Sequence, residues 1–167
     1  MTRVLLVGMM GTGKTTVGHA LSVRTGWPYL DNDGLLQEAS GRTAPELLAA
    51  AGEAALRAAE SSALTLVLAR PGPWVAGVAG GVVLDPADRA RLRGADAWVV
   101  WLRASVPVLA ARVGSGAGRS WLGEDPVAAL TRLAAVRDPL YAEVADQVLD
   151  VDTASPEQLA AQVTLPG

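Results

Sequence analysis

Eight consecutive residues near the start of the chain, Gly8-Met9-Met10-Gly11-Thr12-Gly13-Lys14-Thr15, carry its most specific chemistry. They satisfy G-x-x-x-x-G-K-[ST] at every required position, directly after the apolar run Val4-Leu5-Leu6-Val7 and at the start of a helical pattern. The glycines let backbone N–H groups wrap a polyphosphate, and the N-terminus of the following helix adds favourable partial charge. Lys14 is the only lysine among the 14 basic residues of the chain. In this position its ammonium reaches β- and γ-phosphates, while the Thr15 hydroxyl is offered to Mg2+. The motif reads as a site for ATP or GTP, with Gly11, Thr12, Gly13, Lys14, Thr15 and Thr16 around the phosphates. The bland alternative is a glycine turn between a strand and a helix.

The usual second metal device in such sites is an Asp ending another strand. Trp74–Val78 runs instead into Ala79-Gly80-Gly81, which has no carboxylate. The short run from Pro28 to Leu30 does end in acids, Asp31-Asn32-Asp33. Two carboxylates at this spacing can point in different directions, one towards Mg2+ and one towards an acceptor hydroxyl. By spacing alone, a turn or a helix cap is the commoner use of Asp-x-Asp. Its place just after the strand that follows the phosphate-loop helix favours the metal and acceptor roles. A further segment, Gly114-Ser115-Gly116-Ala117-Gly118, is almost free of side chains and ends at Arg119. It reads either as a flexible connector or as a lid carrying an arginine.

The elements that must position these residues follow from alternating apolar runs and helical patterns, the signature of an α/β parallel sheet. Strands are expected near Val4–Gly8, Pro28–Asp31, Trp74–Val78, Ala97–Leu102 and Gln147–Val151. Helices are expected at about Lys14–Arg24, Pro45–Ala69, Pro86–Leu92, Val106–Arg112, Pro126–Arg137 and Pro156–Val163. Asp85-Pro86, Asp125-Pro126 and Ser155-Pro156 each place a cap residue before a proline at the first helical position. Leu48, Ala51, Ala55, Leu56 and Ala59 suggest an apolar stripe on the long helix, with Gly52 placed to bend or split it.

Composition bounds the remaining possibilities. The chain has 167 residues, half of them apolar and 19% charged, which suits one domain with a real core. A net charge of −3 excludes a general nucleic-acid binder. No apolar run approaches the roughly 20 residues of a membrane span. The first apolar run is too short for a signal peptide, so the expected address is the cytoplasm. Zero cysteines and one histidine, His19, remove disulfides, thiolate chemistry and histidine-rich metal sites. Five Trp, two Tyr and no Phe leave a core built mainly of Leu, Val and Ala. Trp74, Trp98 and Trp101 read as core, and Arg89, Arg91 and Arg93 as a solvated face.

These pieces, in their order and spacing, resemble the shikimate kinase family over nearly the whole chain. The resemblance rests on the phosphate loop, on Gly26-Trp27-Pro28-Tyr29-Leu30-Asp31-Asn32-Asp33 and on Gly52-Glu53-Ala54-Ala55-Leu56-Arg57-Ala58-Ala59-Glu60. It continues through Gly80-Gly81-Val82-Val83-Leu84, Arg119, and Arg137-Asp138-Pro139-Leu140-Tyr141 before Ala145-Asp146. It implies a three-layer P-loop kinase fold with a five-stranded parallel sheet in the order 2-3-1-4-5. It implies one domain over residues 1–167, with a mobile lid near 113–124. By the same resemblance Asp33 contacts the acceptor hydroxyls, and Asp31 lies near Mg2+ through water. Arg57 and Arg137 hold a carboxylate, Gly80 and Gly81 lie against the acceptor, Arg119 closes on the phosphates, and Arg112 flanks the adenine. Without the family, Arg57 and Arg137 would read as helix-surface cations, and Glu60 as an ordinary helix partner of Arg57.

The chain departs from the family pattern around the acceptor. Ala79 replaces the first glycine of a triplet, Ser120-Trp121 stands in the lid, and Leu48 and Leu56 replace aromatic wall residues. A methyl at position 79 narrows the site if that backbone approaches the ligand or needs positive φ. The reading is an ATP- and Mg2+-dependent kinase for a hydroxyl on a small polyhydroxylated carboxylic acid, foremost shikimate giving shikimate 3-phosphate. Lys14, Asp33 and Arg119 are the expected catalytic residues. A kinase for gluconate, a cyclitol or another polyol remains open, as does a regulatory nucleotide-binding paralogue with little turnover. The expected partner is the small acceptor alone, with no nucleic acid or membrane, and the expected state is a monomer.

Overall fold

Successive residues of a strand face opposite sides of its sheet, and in this protein both sides are apolar, as a buried parallel sheet requires. Leu5, Val7, Ala76, Val99 and Trp101 face one side, while Val4, Leu6, Val75, Val100 and Leu102 face the other. The computed structural model describes residues 2–113 and 125–165. Five parallel strands, β1 (Arg3–Val7), β2 (Tyr29–Leu30), β3 (Trp74–Gly77), β4 (Trp98–Arg103) and β5 (Gln147–Asp150), form one sheet in the order β2-β3-β1-β4-β5. Register runs Leu5↔Ala76 on one side of β1 and Leu5↔Val99 on the other. The expected strand order holds.

The helices are α1 (Lys14–Thr25), α2 (Asn32–Ser40), α3 (Ala44–Ala69), α4 (Pro86–Gly94), α5 (Val106–Val113), α6 (Pro126–Val144) and α7 (Pro156–Gln162). Helices α1 and α7 cover one face of the sheet through Val17, Leu21, Leu159 and Ala160. The opposite face is covered from α3 to α6 by Leu64, Leu92, Leu109 and Leu130, among others. The predicted caps form: Asp85 accepts from the Ala87 amide at 2.7 Å, Asp125 from the Ala128 amide at 3.0 Å, and Ser155 from the Gln158 amide at 3.1 Å. No helix among the described residues is long and apolar enough to cross a membrane.

Four local expectations are corrected. Helix α2 and the 3-10 turn at Gly80–Leu84 went unpredicted, because each is too short to show a repeated apolar face in the sequence. Tertiary burial of Leu35 and Leu36 holds α2 in place. The proposed stripe on α3 holds in its second half only: Ala59 is buried with Ala55 and Leu56 packed beside it, but Leu48 is 42% exposed and Ala51 is exposed, and Leu47, Ala63, Leu64 and Val67 complete the buried set. Gly52, at φ 82° and ψ −178°, breaks the helix there, so no single period spans both halves. Helix α6 does not stop at Arg137 but continues through Pro139 to Val144, since burial of Tyr141 and Val144 outweighs the lost backbone bond. The arginines of α4 are not merely solvated. Arg89 and Arg93 both pair with Glu143 of α6, and Arg91 binds buried Asp88 and the Thr65 hydroxyl of α3.

Candidate active site

The loop between β1 and α1 takes a shape that its glycines make possible. Gly8, Gly11 and Gly13 have φ of 147°, 81° and 92°, and a Cβ on Gly8 would approach the Leu102 carbonyl to 2.6 Å. Thr12 closes the loop from within, its buried hydroxyl donating to the Met9 carbonyl at 2.8 Å. Lys14 reaches back over the loop and donates to the carbonyls of Gly8 at 2.6 Å and Met9 at 3.0 Å. Thr15 and Thr16 stand exposed at the helix start. From α5, Arg112 donates to the Gly11 carbonyl at 2.9 Å, which sets its guanidinium on the rim of the same loop.

The two aspartates take different places at the start of α2. Asp31 occupies the N-cap position of α2, yet its side chain makes no capping bond. Its carboxylate instead lies 3.5 Å from the Thr15 hydroxyl. Asp33 sits in the exposed first turn of α2. Tyr29 lies near both aspartates, and its ring packs on Gly18 so closely that a Cβ there would overlap it. Burial, chiefly, with Asp31 and Asp33 adding, pushes the Tyr29 phenol up to about 12 against the lowering effect of a hydrogen bond with Thr15.

A hydroxyl and a carboxylate at this separation are hard oxygen donors of the kind that suit Mg2+. Among the described residues no group of three or more His, Cys, Asp or Glu could hold a metal unaided. Magnesium is commonly held by one or two protein groups plus substrate phosphates and water, so Thr15 and Asp31 fit it.

A second cluster forms where the chain leaves β3. A Cβ on Gly81 would overlap the Arg57 guanidinium, and one on Gly80 would lie 3.5 Å from Arg137 Nη1 and 3.1 Å from the Gly8 carbonyl. Two arginines from α3 and α6 therefore press on one turn, and that turn abuts the phosphate loop. The surface-cation reading fails for Arg137, which is 6% exposed and whose Nε has no protein partner. Arg57 is half-buried and bonds Glu60 at 2.8 Å and Glu53 at 3.3 Å. Burial lowers the Arg57 guanidinium, but Glu60 and Glu53 outweigh it and the net shift is upward. An open cleft of about 950 Å3 lies alongside, lined by Arg57, Glu60, Gly81 and Leu84 among others. Ala79 has φ −58°, an ordinary value, so the feared need for a glycine there does not arise. Gly114–Gly118, Arg119, Ser120 and Trp121 lie outside the described residues.

The model of the shikimate kinase family matches residues 10–165. The chain belongs to the shikimate kinase family. Like the family's other members it is a phosphotransferase that uses ATP and an alcohol acceptor. A shikimate kinase of Caulobacter vibrioides is 39% identical over 163 residues, covering 97% of this chain and 80% of its relative. One from Salinispora arenicola is 40% identical over 159 residues, covering 95% and 93%. Among solved structures, shikimate kinase from Acinetobacter baumannii in complex with shikimate has a TM-score of 0.89 at 31% identity, covering 97% of this chain and 90% of that one.

Two features of the site escaped the sequence. Tyr29 and Tyr141 each place a phenol at a junction, Tyr29 beside Thr15 and Tyr141 on the Gly80 carbonyl. For Tyr141 a signal existed: it follows Arg137 by four residues and so shares its helical face, provided the helix runs through Pro139.

Proposed function

We propose that this chain phosphorylates the 3-hydroxyl of shikimate at the expense of ATP. The observation that carries the proposal is Arg137: a buried guanidinium with an unpartnered Nε, beside Arg57, on a turn that touches the phosphate loop. A buried cation with spare donors calls for an anion, and a carboxylate matches the planar fork of a guanidinium. A bound acceptor held by its carboxylate at Arg57 and Arg137 is thereby placed beside the loop that holds ATP. That geometry converts a two-body encounter into an oriented one.

In this assignment the loop amides of Gly11 to Thr15 bind the phosphates, and Lys14 leaves the Gly8 and Met9 carbonyls to stabilise charge on the moving phosphoryl group. Thr15 and Asp31 hold Mg2+, which when bound neutralises charge on the β- and γ-phosphates. Asp33 orients the acceptor hydroxyl and takes its proton as the oxygen attacks. Arg112 sits at the rim for the adenine, and Arg119, assigned through the family alone, stabilises the phosphates. A coupled ADP-release assay across shikimate, gluconate, cyclitols and simple hydroxy acids tests the proposal. Saturable turnover with shikimate and weak turnover with neutral polyols is expected; preference for a neutral polyol, or no ADP release with any acceptor, would overturn it.

A further inference from the structure

We propose that Tyr141 is a positioning residue for the acceptor: its hydroxyl holds the Gly80 turn in place beside the Arg137 guanidinium. The phenol is wholly buried and tilted against Trp101, with ring centroids 5.7 Å apart. Its O–H donates to the Gly80 carbonyl at 2.6 Å. The same oxygen and Arg137 Nη1, from four residues earlier on α6, both border Gly80, 3.4 and 3.5 Å from where a Cβ on it would lie. One bond therefore ties the turn to the helix that carries the guanidinium, two parts of the site that arrive from distant parts of the chain. The Gly8 carbonyl lies against Gly80, so that bond also sets the distance from acceptor to phosphate loop.

The acceptor site gains preorganisation from this arrangement. A turn free to shift would meet the acceptor at many distances from Arg137, whereas one bonded to α6 through Tyr141 keeps a fixed place beside the guanidinium. Removing only the hydroxyl leaves the Gly80 carbonyl without its donor, while the aromatic packing stays. The loss belongs to acceptor binding and not to nucleotide binding.

This inference rests on the carboxylate-clamp assignment above. Tyr141→Phe is expected to raise the shikimate KM about tenfold and to leave the KM for ATP within about twofold. Trp101→Phe, which loosens the same ring contact but keeps the hydroxyl, is expected to lower Tm without moving the shikimate KM. Equal changes in both KM values, or a fall in kcat with both unchanged, would overturn the proposal and leave a structural tyrosine. A second measurement needs no variant at position 141. The chain has two tyrosines, so tyrosine labelled with 13C at Cζ gives two signals, assigned with Tyr29→Phe. Saturating shikimate should shift the Tyr141 signal and ATP alone should not; a signal unmoved by shikimate contradicts the proposal. Failure of the clamp itself would appear differently, as wild-type enzyme that shows no preference for an acid acceptor.

Discussion

The phosphate loop and the acceptor turn meet at Gly8 and Gly80, yet they are held in opposite ways. The loop is shaped largely from within, with Arg112 of α5 on its rim. Its shape comes from three glycines at positive φ, the Thr12 hydroxyl on Met9, and Lys14 bound to the loop's own carbonyls. The turn has little shape of its own and takes it from outside, from Arg57 of α3 and from Arg137 and Tyr141 of α6. A region built locally concentrates its effects on chemistry common to many acceptors. A region assembled from remote helices can change its acceptor through any of them. Changes in the loop should therefore strike turnover, and changes around the turn should strike acceptor selection.

The largest effect is expected at Lys14. Lys14→Ala should lower kcat by about a thousandfold or more, with a native circular-dichroism spectrum, because the ammonium bonds the Gly8 and Met9 carbonyls of the loop and not the core. Near-normal turnover would break the division at its stronger half. Next come the arginines. Arg137→Ala should cost about 2–5 kcal/mol of acceptor binding and leave ATP affinity unchanged. Arg57→Ala should cost less, since Arg57 is more exposed and already shared by two glutamates. Isothermal titration with each ligand separates the two affinities; equal losses would erase the comparison.

Asp31→Asn comes third and sharpens the loop side. It removes a carboxylate 3.5 Å from the Thr15 hydroxyl. The Mg2+ concentration for half-maximal nucleotide binding should rise about tenfold, measured by fluorescence titration with a labelled ATP analogue. Ala79→Gly is the smallest. Position 79 has φ −58° and no need of glycine, so acceptor KM should move less than about twofold.

Stability at high pH offers a separate check on both regions, since each contains one buried phenol. Burial, foremost, pushes Tyr29 and Tyr141 up to about 12 from the ordinary 10.0. The unfolded chain releases these protons near pH 10 while the fold retains them, so stability falls as pH rises from there through about 12. Below pH 10 that contribution is fully present. Urea melts at stepped pH should show the decline, and Tyr29→Phe or Tyr141→Phe should each flatten it.

Much of this architecture was legible because contiguous residues carried it. The phosphate loop is eight neighbours in sequence, and the strand order followed from motifs set in family order. The acceptor turn was legible only through the family, because no local rule joins Arg57, Gly80 and Arg137. What stayed hidden was decided by tertiary packing. Gly52 broke the period that made Leu48 look buried, and burial of Tyr141 carried α6 past a proline that ordinarily ends a helix. The Asp31 cap rule failed in an informative direction: the residue takes the cap position while its carboxylate turns to Thr15.

We propose that one carboxylate-binding pair, Arg57 of α3 and Arg137 of α6, set against the Gly80 turn, selects the substrate. The most direct test compares shikimate with its methyl ester in wild-type enzyme and in Arg137→Ala. The wild type should prefer the acid by about a hundredfold or more in kcat/KM, and the variant should lose most of that preference. An acid preference that survives unchanged in Arg137→Ala would contradict the account.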